Sequence, residues 1–315
     1  MSGGLTGSAW RVHYETEVAA PAGVAVGLLG EDVVVRQRLV HGGMVLGALA
    51  GTTLLTYACF VEPRRIVIDR VRVPVRDLAP DLEGFTLVQL SDMHCGPSAR
   101  WRDHLDRAVE IANGLSPHLI CLTGDYTDDT AIVHECVGIL SRLRARHGVV
   151  AVLGNHDYYG APQRSRMVEA ALREGGITVL RNEVFEVAAR SPLYVAGLDD
   201  AYSGHDKLAA LLGRLPRCRH PRVLLSHYPD VVERLAPGTV DLVLSGHVHG
   251  GQIRIPFLVS LVRRHHVHSS YSHGLYDVDG TALYVNRGLG SSFPQARLCS
   301  PPEVTHITLV PAALT

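Results

Sequence analysis

"DLVLSGHVHGGQ", residues 241–252, runs from an apolar strand directly into two histidines, one residue apart, set among glycines. A core has little use for imidazoles there, and a turn needs no more than one or two of those glycines. The same arrangement recurs along the chain. "FTLVQLSD" (85–92) leads into Asp92-Met93-His94, and "HLICLTGD" (118–125) into Gly124-Asp125-Tyr126-Thr127-Asp128. "GVVAVLGNHD" (148–157) ends in Gly154-Asn155-His156-Asp157, and "RVLLSHYPD" (222–230) carries Ser226-His227-Tyr228. Each apolar run is followed at once by Asp, Asn or His. In α/β sheets, ligands gather in the crevice beyond the carboxyl ends of the strands. The pattern therefore predicts one pocket holding Asp92, His94, Asp125, Asn155, His227, His247 and His249.

Between the early runs the periodicity changes. Trp101–Asn113, Ile132–Arg146 and Gln163–Glu174 read as helices, so the first half predicts βαβ units. The second half is richer in strands: "ITVLRNEVFEVA" (177–188), "PLYVAGLDD" (192–200), a hairpin turning at Asp279-Gly280, and "EVTHITLV" (303–310). So much sheet in one domain predicts an α/β fold of two stacked mixed β-sheets flanked by helices.

The 315 residues are 46% hydrophobic and carry a net charge of −1, without the basic field of a nucleic-acid binder. Six cysteines without a C-x-x-C pair read as mostly buried free thiols, whereas the 18 histidines demand an explanation. "LVHGGMVLGALAGTTLLTYACFV" (39–61) lacks any charged residue and matches the roughly 20 residues a membrane-spanning helix needs. The competing reading is an export signal, though no small-residue cleavage site follows. Arg64, Arg65, Arg70, Arg72 and Arg76 follow the segment, against Arg36 and Arg38 before it. The positive-inside rule then places the C-terminal bulk in the cytoplasm. The expected organisation is a tail (1–38), an anchor helix (39–61), a proline-containing linker (62–83) and a folded domain (84–315).

The ligand types narrow the chemistry. Imidazoles, carboxylates and an amide oxygen, without a cysteine cluster, argue against a closed structural zinc site. They suit two divalent or trivalent ions (Mn, Fe or Zn) about 3.5–4 Å apart, the arrangement used for displacement at phosphorus. Asp125, in the middle of the set, is the natural bridge.

The ordered set D-x-H, G-D-x-x-D, G-N-H-D, a lone His and G-H-x-H resembles the calcineurin-like metallophosphoesterase family over roughly residues 84–310. "GGQ" (250–252), "NRGLG" (286–290) and "PPE" (301–303) resemble a bacterial subgroup described as YaeI- or YkuE-like, whose members carry an N-terminal membrane or export segment. The resemblance implies a four-layer αββα sandwich. It implies a first metal on Asp92, His94, Asp125 and His249, and a second on Asp125, Asn155, His227 and His247. Alternate residues of an extended segment share a side, which lets His247 and His249 face the pair. Gly246, Gly250 and Gly251 would permit tight turns and leave room for substrate.

The resemblance further implies hydrolysis of a phosphate ester by in-line attack of metal-bound hydroxide, with His156 protonating the leaving group and Asp128 orienting His156. Asp157 follows His156 as in the family, in a catalytic or merely structural role. The family's protein-phosphatase branch has Arg after G-D-x-x-D, where this chain has Asp129. That departure favours a phosphodiester or pyrophosphate over a phosphomonoester. An anchor together with the apolar-then-basic stretch 256–274 points to a lipid- or envelope-linked substrate and a membrane-lipid contact, unless that stretch is a packed helix and a solvated loop. Arg254 and Arg287 are the candidate substrate arginines. The alternatives are a phosphomonoesterase of the same family and a non-catalytic metal-binding scaffold at the membrane.

Overall fold

The computed structural model describes residues 33–96, 100–160, 163–216, 221–254 and 269–312. The chain divides into two units, Met1–Leu55 and Thr56–Thr315. The stretch 256–274 falls for the most part outside the described residues, as do most of the 1–38 tail and Cys218.

The first unit contains α1 (Val33–Thr56). Its apolar residues are distributed around the helix rather than along one stripe, and Leu46 and Leu55 are 68% and 64% exposed. The hydroxyls of Thr52 and Thr53 donate to the carbonyls of Ala48 and Leu49. This satisfies them without water, as an apolar surrounding requires. By length and composition the helical stretch His41–Arg64 is sufficient to cross a membrane. It closes with a wide turn over Tyr57–Val61 and a tight one over Glu62–Arg64, where Pro63 supplies no N–H to continue the helix.

In the second unit the elements are β1 (Val67–Val75), β2 (Thr86–Leu90), α2 (Arg100–Gly114), β3 (Leu119–Thr123), α3 (Val133–Leu140), β4 (Val149–Val152), α4 (Arg164–Glu174), β5 (Thr178–Val179), β6 (Glu183–Val187), β7 (Leu193–Gly197), α5 (Leu208–Leu212), β8 (Arg222–Leu225), β9 (Leu242–Ser245), β10 (Gly274–Val278), β11 (Thr281–Val285) and β12 (Glu303–Pro311). They build two six-stranded sheets, ordered β1-β12-β2-β3-β4-β5 and β10-β11-β9-β8-β7-β6. Both are mixed. β2 to β5 run parallel while β12 is antiparallel to β2; β7, β8, β9 and β11 run parallel while β6 and β10 are antiparallel at the edges.

The central strands β2, β3, β4 and β9 are buried on both faces, which explains their near-continuous apolar sequences. Leu87, Leu119, Cys121, Val150 and Val152 face Val195, Val223, Leu225, Leu242 and Leu244 across the two sheets. The alternate residues Val88, Leu90, Ile120 and Leu122 pack outward against Ala108, Val137 and Leu172 of α2, α3 and α4. On the other side Leu224 and Val243 meet Leu208 and Leu211 of α5. Helices, sheet, sheet, helix form the four layers expected.

Three local expectations change. Residues 62–83 are not merely a linker, because Val67–Val75 form β1, paired in parallel along its length with β12. Its charged alternate positions concealed it, and Pro74 is tolerated because β1 is an edge strand. The run 177–188 is two strands in different sheets, β5 and β6, parted at Arg181-Asn182, where Asn182 takes a φ of 58°. The helix expected to reach Arg146 stops at Leu140. The chain then doubles back to β4, with Asn113 holding the carbonyl of Arg142 and the N–H of Arg144. The Asp279-Gly280 hairpin forms as expected, both residues having positive φ.

Candidate metal centre

β2, β3, β4, β8 and β9 all end at one rim, and the two sheets are tied together there. Gln89 Nε2 donates across to the Ser245 carbonyl at 2.9 Å, while within the first sheet the N–H of Asp92 bonds the Gly124 carbonyl at 3.0 Å. At the strand ends the backbone is bent sharply. Asp92, His94, Asp125, His247 and His249 all have φ between 42° and 73°. Non-glycine residues rarely adopt this region, and such strain persists only where surrounding structure over-determines it. Five strained residues, converging from three strand ends, aim their side chains at a common point.

All seven expected ligands arrive there. Asp125 Oδ2 lies 3.1 Å from His227 Nε2 and 3.5 Å from His94 Nε2, between the two. On one side His249 Nε2 is 3.3 Å from Asp92 Oδ1 and 3.1 Å from His94 Nε2. On the other side Asn155 Oδ1 is 3.1 Å from His227 Nε2 and 2.9 Å from His247 Nδ1. Within this cluster Asp92, His94 and His249, and separately Asp92, Asp125 and His227, are close enough to share an ion.

The surrounding hydrogen bonds set which nitrogen is available. His227 Nδ1 donates to the Thr123 carbonyl at 2.7 Å and His94 Nδ1 donates to Asp128 Oδ1 at 2.8 Å, leaving each Nε2 lone pair turned inward. Asn155 Nδ2 donates to the Tyr159 hydroxyl at 3.0 Å, which turns Oδ1 toward His227 and His247. Lone pairs of imidazole, carboxylate and amide thus face one another with few protons to separate them. That donor set fits divalent or trivalent cations.

The charges agree. Although burial pushes the Asp125 carboxyl up, the facing His227 and His94 hold it well below the usual range. Burial, offset in part by His227 but reinforced by the charge of Asp125, pushes Asp92 up. Burial and the neighbouring His227 push His247 down to about 3. Burial, His94 and the Arg297 guanidinium push His249 well below the ordinary imidazole range, keeping it neutral, the state in which it ligates.

Outside the cage, Asp128 Oδ1 accepts from both His94 Nδ1 and His156 Nδ1, the latter at 3.0 Å. His156 is a third exposed, and its Nε2 is left without a role in that bond. His94, Asp128 and His156 form a further group of suitable geometry for an ion. Asp157 is structural: its buried carboxylate accepts the N–H groups of Asp125, Tyr126 and Gly154. Asp129 caps the following turn by accepting from the Ala131 N–H.

Gly250 and Gly251 take φ of 62° and 79° and so make the tight turn expected, whereas Gly246 has a different use. A Cβ on Gly246 would collide with Ser91 Oγ and Asp92 Oδ2, so its bareness lets the ligand carboxylate approach rather than leaving room for substrate. Of the two candidate substrate arginines, Arg287 is committed elsewhere, paired with Glu303 and with Asp69 at 2.6 Å. Arg254 lies against His273 at 3.1 Å. Neither hydrogen-bonds a residue of the cage among the described contacts.

Three contributors had no visible sequence signal. Tyr159 orients Asn155. Arg164 is buried beneath the Asp128 turn and donates to the carbonyls of Thr127 and Asp128. Arg297 is fully buried behind His249 and donates to the carbonyls of Arg287, Gly288, Gly290 and Ser300.

A four-layer sandwich with an Asp/His/Asn cage at the strand ends defines a metal-binding hydrolase class. The calcineurin-like phosphoesterase family matches residues 85–251, and the chain belongs to it. It is 33% identical over 273 residues to "Uncharacterized metallophosphoesterase YkuE" of Bacillus subtilis (strain 168), covering 85% of this chain and 94% of that protein. It is also 33% identical over 307 residues to a "Transmembrane protein with metallophosphoesterase domain" of Bos taurus, covering 91% of this chain and 66% of that one. Among solved structures, a dimetal phosphatase from Danio rerio superposes with a TM-score of 0.44 at 14% identity, over 72% of this chain and 93% of that one. Family membership supports a phosphoric ester hydrolase.

Proposed function

We propose that this chain hydrolyses a phosphodiester or pyrophosphate, using two metal ions, and is held at a membrane by its apolar helix. The observation that carries the reading is the convergence of six donor side chains around Asp125, with the His156–Asp128 pair beside them. Asp92, His94, Asp125 and His249 would hold one ion, and Asp125, Asn155, His227 and His247 the other. Bound there, the ions would offset phosphate charge and lower the pKa of a water toward about 7.

The chain's own residues do the rest. Thr123 and Asp128 fix the tautomers of His227 and His94, and Tyr159 fixes the amide of Asn155. Asp128 holds the Nδ1 proton of His156, so the Nε2–H of the imidazolium is directed outward and passes to the leaving alkoxide. Asp129 in place of an arginine removes one clamp for a terminal phosphoryl group, which favours the diester or pyrophosphate. The exposed apolar α1 and the bovine relative's name support a membrane site, and the arginines after the helix favour its cytoplasmic face.

The test uses the full chain in detergent, loaded with manganese, on bis(p-nitrophenyl) phosphate and p-nitrophenyl phosphate. The diester should be cleaved faster, and Asp125→Ala should lose metal and activity together. Two bound ions with no hydrolysis of any ester would favour the scaffold reading and overturn this one.

A further inference from the structure

The last turns of the apolar stretch His41–Arg64 lie within the folded unit that begins at Thr56. They are not a free tether. Ala58 is 6% exposed and packs with Ala296 and Leu298, flanked by Tyr57 and Cys59. The N–H of Arg297 donates to the Ala58 carbonyl at 2.9 Å. Glu62, an acid just after the apolar run, is only 4% exposed, and its Oε1 accepts the N–H of Ser300 at 2.5 Å.

Arg297 and Ser300 are also the two residues that hold His249. The Ser300 hydroxyl donates to the His249 carbonyl at 2.8 Å, and the Arg297 guanidinium lies 3.5 Å from His249 Nδ1. Arg297 makes its hydrogen bonds to carbonyls and a hydroxyl, so its buried charge is balanced at a distance by Asp92, Glu303 and Glu62. The same two backbone positions thus meet the helix exit on one side and a cage histidine on the other. His249 has a strained φ of 52° and needs such support.

We propose that the exit segment Ala58–Glu62 is part of the metal centre's support, with Glu62 and Ser300 acting as positioning residues for His249. The segment at the helix exit is then coupled to the first metal position by two hydrogen bonds through Ser300, one at its N–H and one at its hydroxyl. This inference rests on the two-ion reading above. Removing a partner that orients a metal ligand weakens affinity about 10- to 100-fold. Because Glu62 acts through Ser300, the lower end applies.

The experiment strips the full chain in detergent of metal, titrates manganese(II) alone, and counts bound ions by electron paramagnetic resonance. Glu62→Ala and Ser300→Ala should each weaken one ion about tenfold and leave the other unchanged. Glu62→Gln, which keeps the acceptor oxygen, should bind nearly as the natural chain does. Unchanged binding of both ions in the two alanine variants overturns the proposal. So does an equal weakening of both ions with a fallen Tm, which would show general loosening. Should Glu62→Ala fail to fold, Ser300→Ala decides by the same criteria. If the natural chain itself binds fewer than two ions, it is the two-ion reading that fails instead.

Discussion

Asp128→Asn probes the one carboxylate that serves both the cage and the proton donor. A single oxygen accepts from His94 at 2.8 Å and from His156 at 3.0 Å. The amide keeps an acceptor but loses the charge. Hydrogen bonds to charged groups contribute about 1.5–3 kcal/mol against about 0.5–1.5 for neutral ones, so about 1 kcal/mol is lost per bond. His94 is fully buried, whereas His156 is a third exposed and its share is discounted for solvent screening. The total is about 1–2 kcal/mol, or roughly five- to thirtyfold, divided between weaker hold on one ion and slower proton transfer.

His156→Ala separates the two effects. It should keep both ions and slow turnover on an aliphatic diester by about 10²–10⁴, the usual worth of a general acid. An activated nitrophenyl diester, whose leaving group needs no proton, should be affected far less. The assay is kcat/KM on the two esters beside manganese titration of the two variants. Equal losses on both esters in His156→Ala, or unaltered ion affinity in Asp128→Asn, would refute the shared-carboxylate reasoning.

Gly246→Ala should abolish metal binding while leaving the far-ultraviolet circular dichroism in place, since the nearest atoms its Cβ would meet belong to Ser91 and Asp92 at the rim; full metal uptake would contradict this. Glu303 is fully buried; burial, opposed by Arg287 and assisted by Asp69, pushes its carboxyl from the ordinary 4.5 up to about 7. The folded state therefore binds the extra proton between those values, and stability falls as pH rises from about 4.5 to about 7. Glu303→Gln should flatten that dependence by on the order of 3 kcal/mol in urea unfolding across this window. Parallel curves for the two proteins would place the titration elsewhere.

The cage was legible because its chemistry is written at strand ends. Asp92, Asp125, Asn155, His227 and His247 each follow a largely apolar run, and sheet geometry alone brings such ends together. The supports were not legible. Arg297 lies 48 residues beyond His249, and nothing local marks it as buried. Tyr159 acts through a hydroxyl whose partner depends on the turn at Asn155-His156-Asp157. β1 was hidden because an edge strand with one solvent face carries Asp69, Arg70 and Arg72 and tolerates Pro74. The break between β5 and β6 was hidden for another reason. A change of sheet is made by three residues, Leu180, Arg181 and Asn182, in an otherwise strand-like run, and periodicity has too few positions there to register it.

Anomalous diffraction from crystals grown with manganese tests the central claim most directly. The account predicts two peaks about 3.5–4 Å apart, one on either side of the Asp125 carboxylate. A single peak, or one seated among His94, Asp128 and His156 instead, would contradict it.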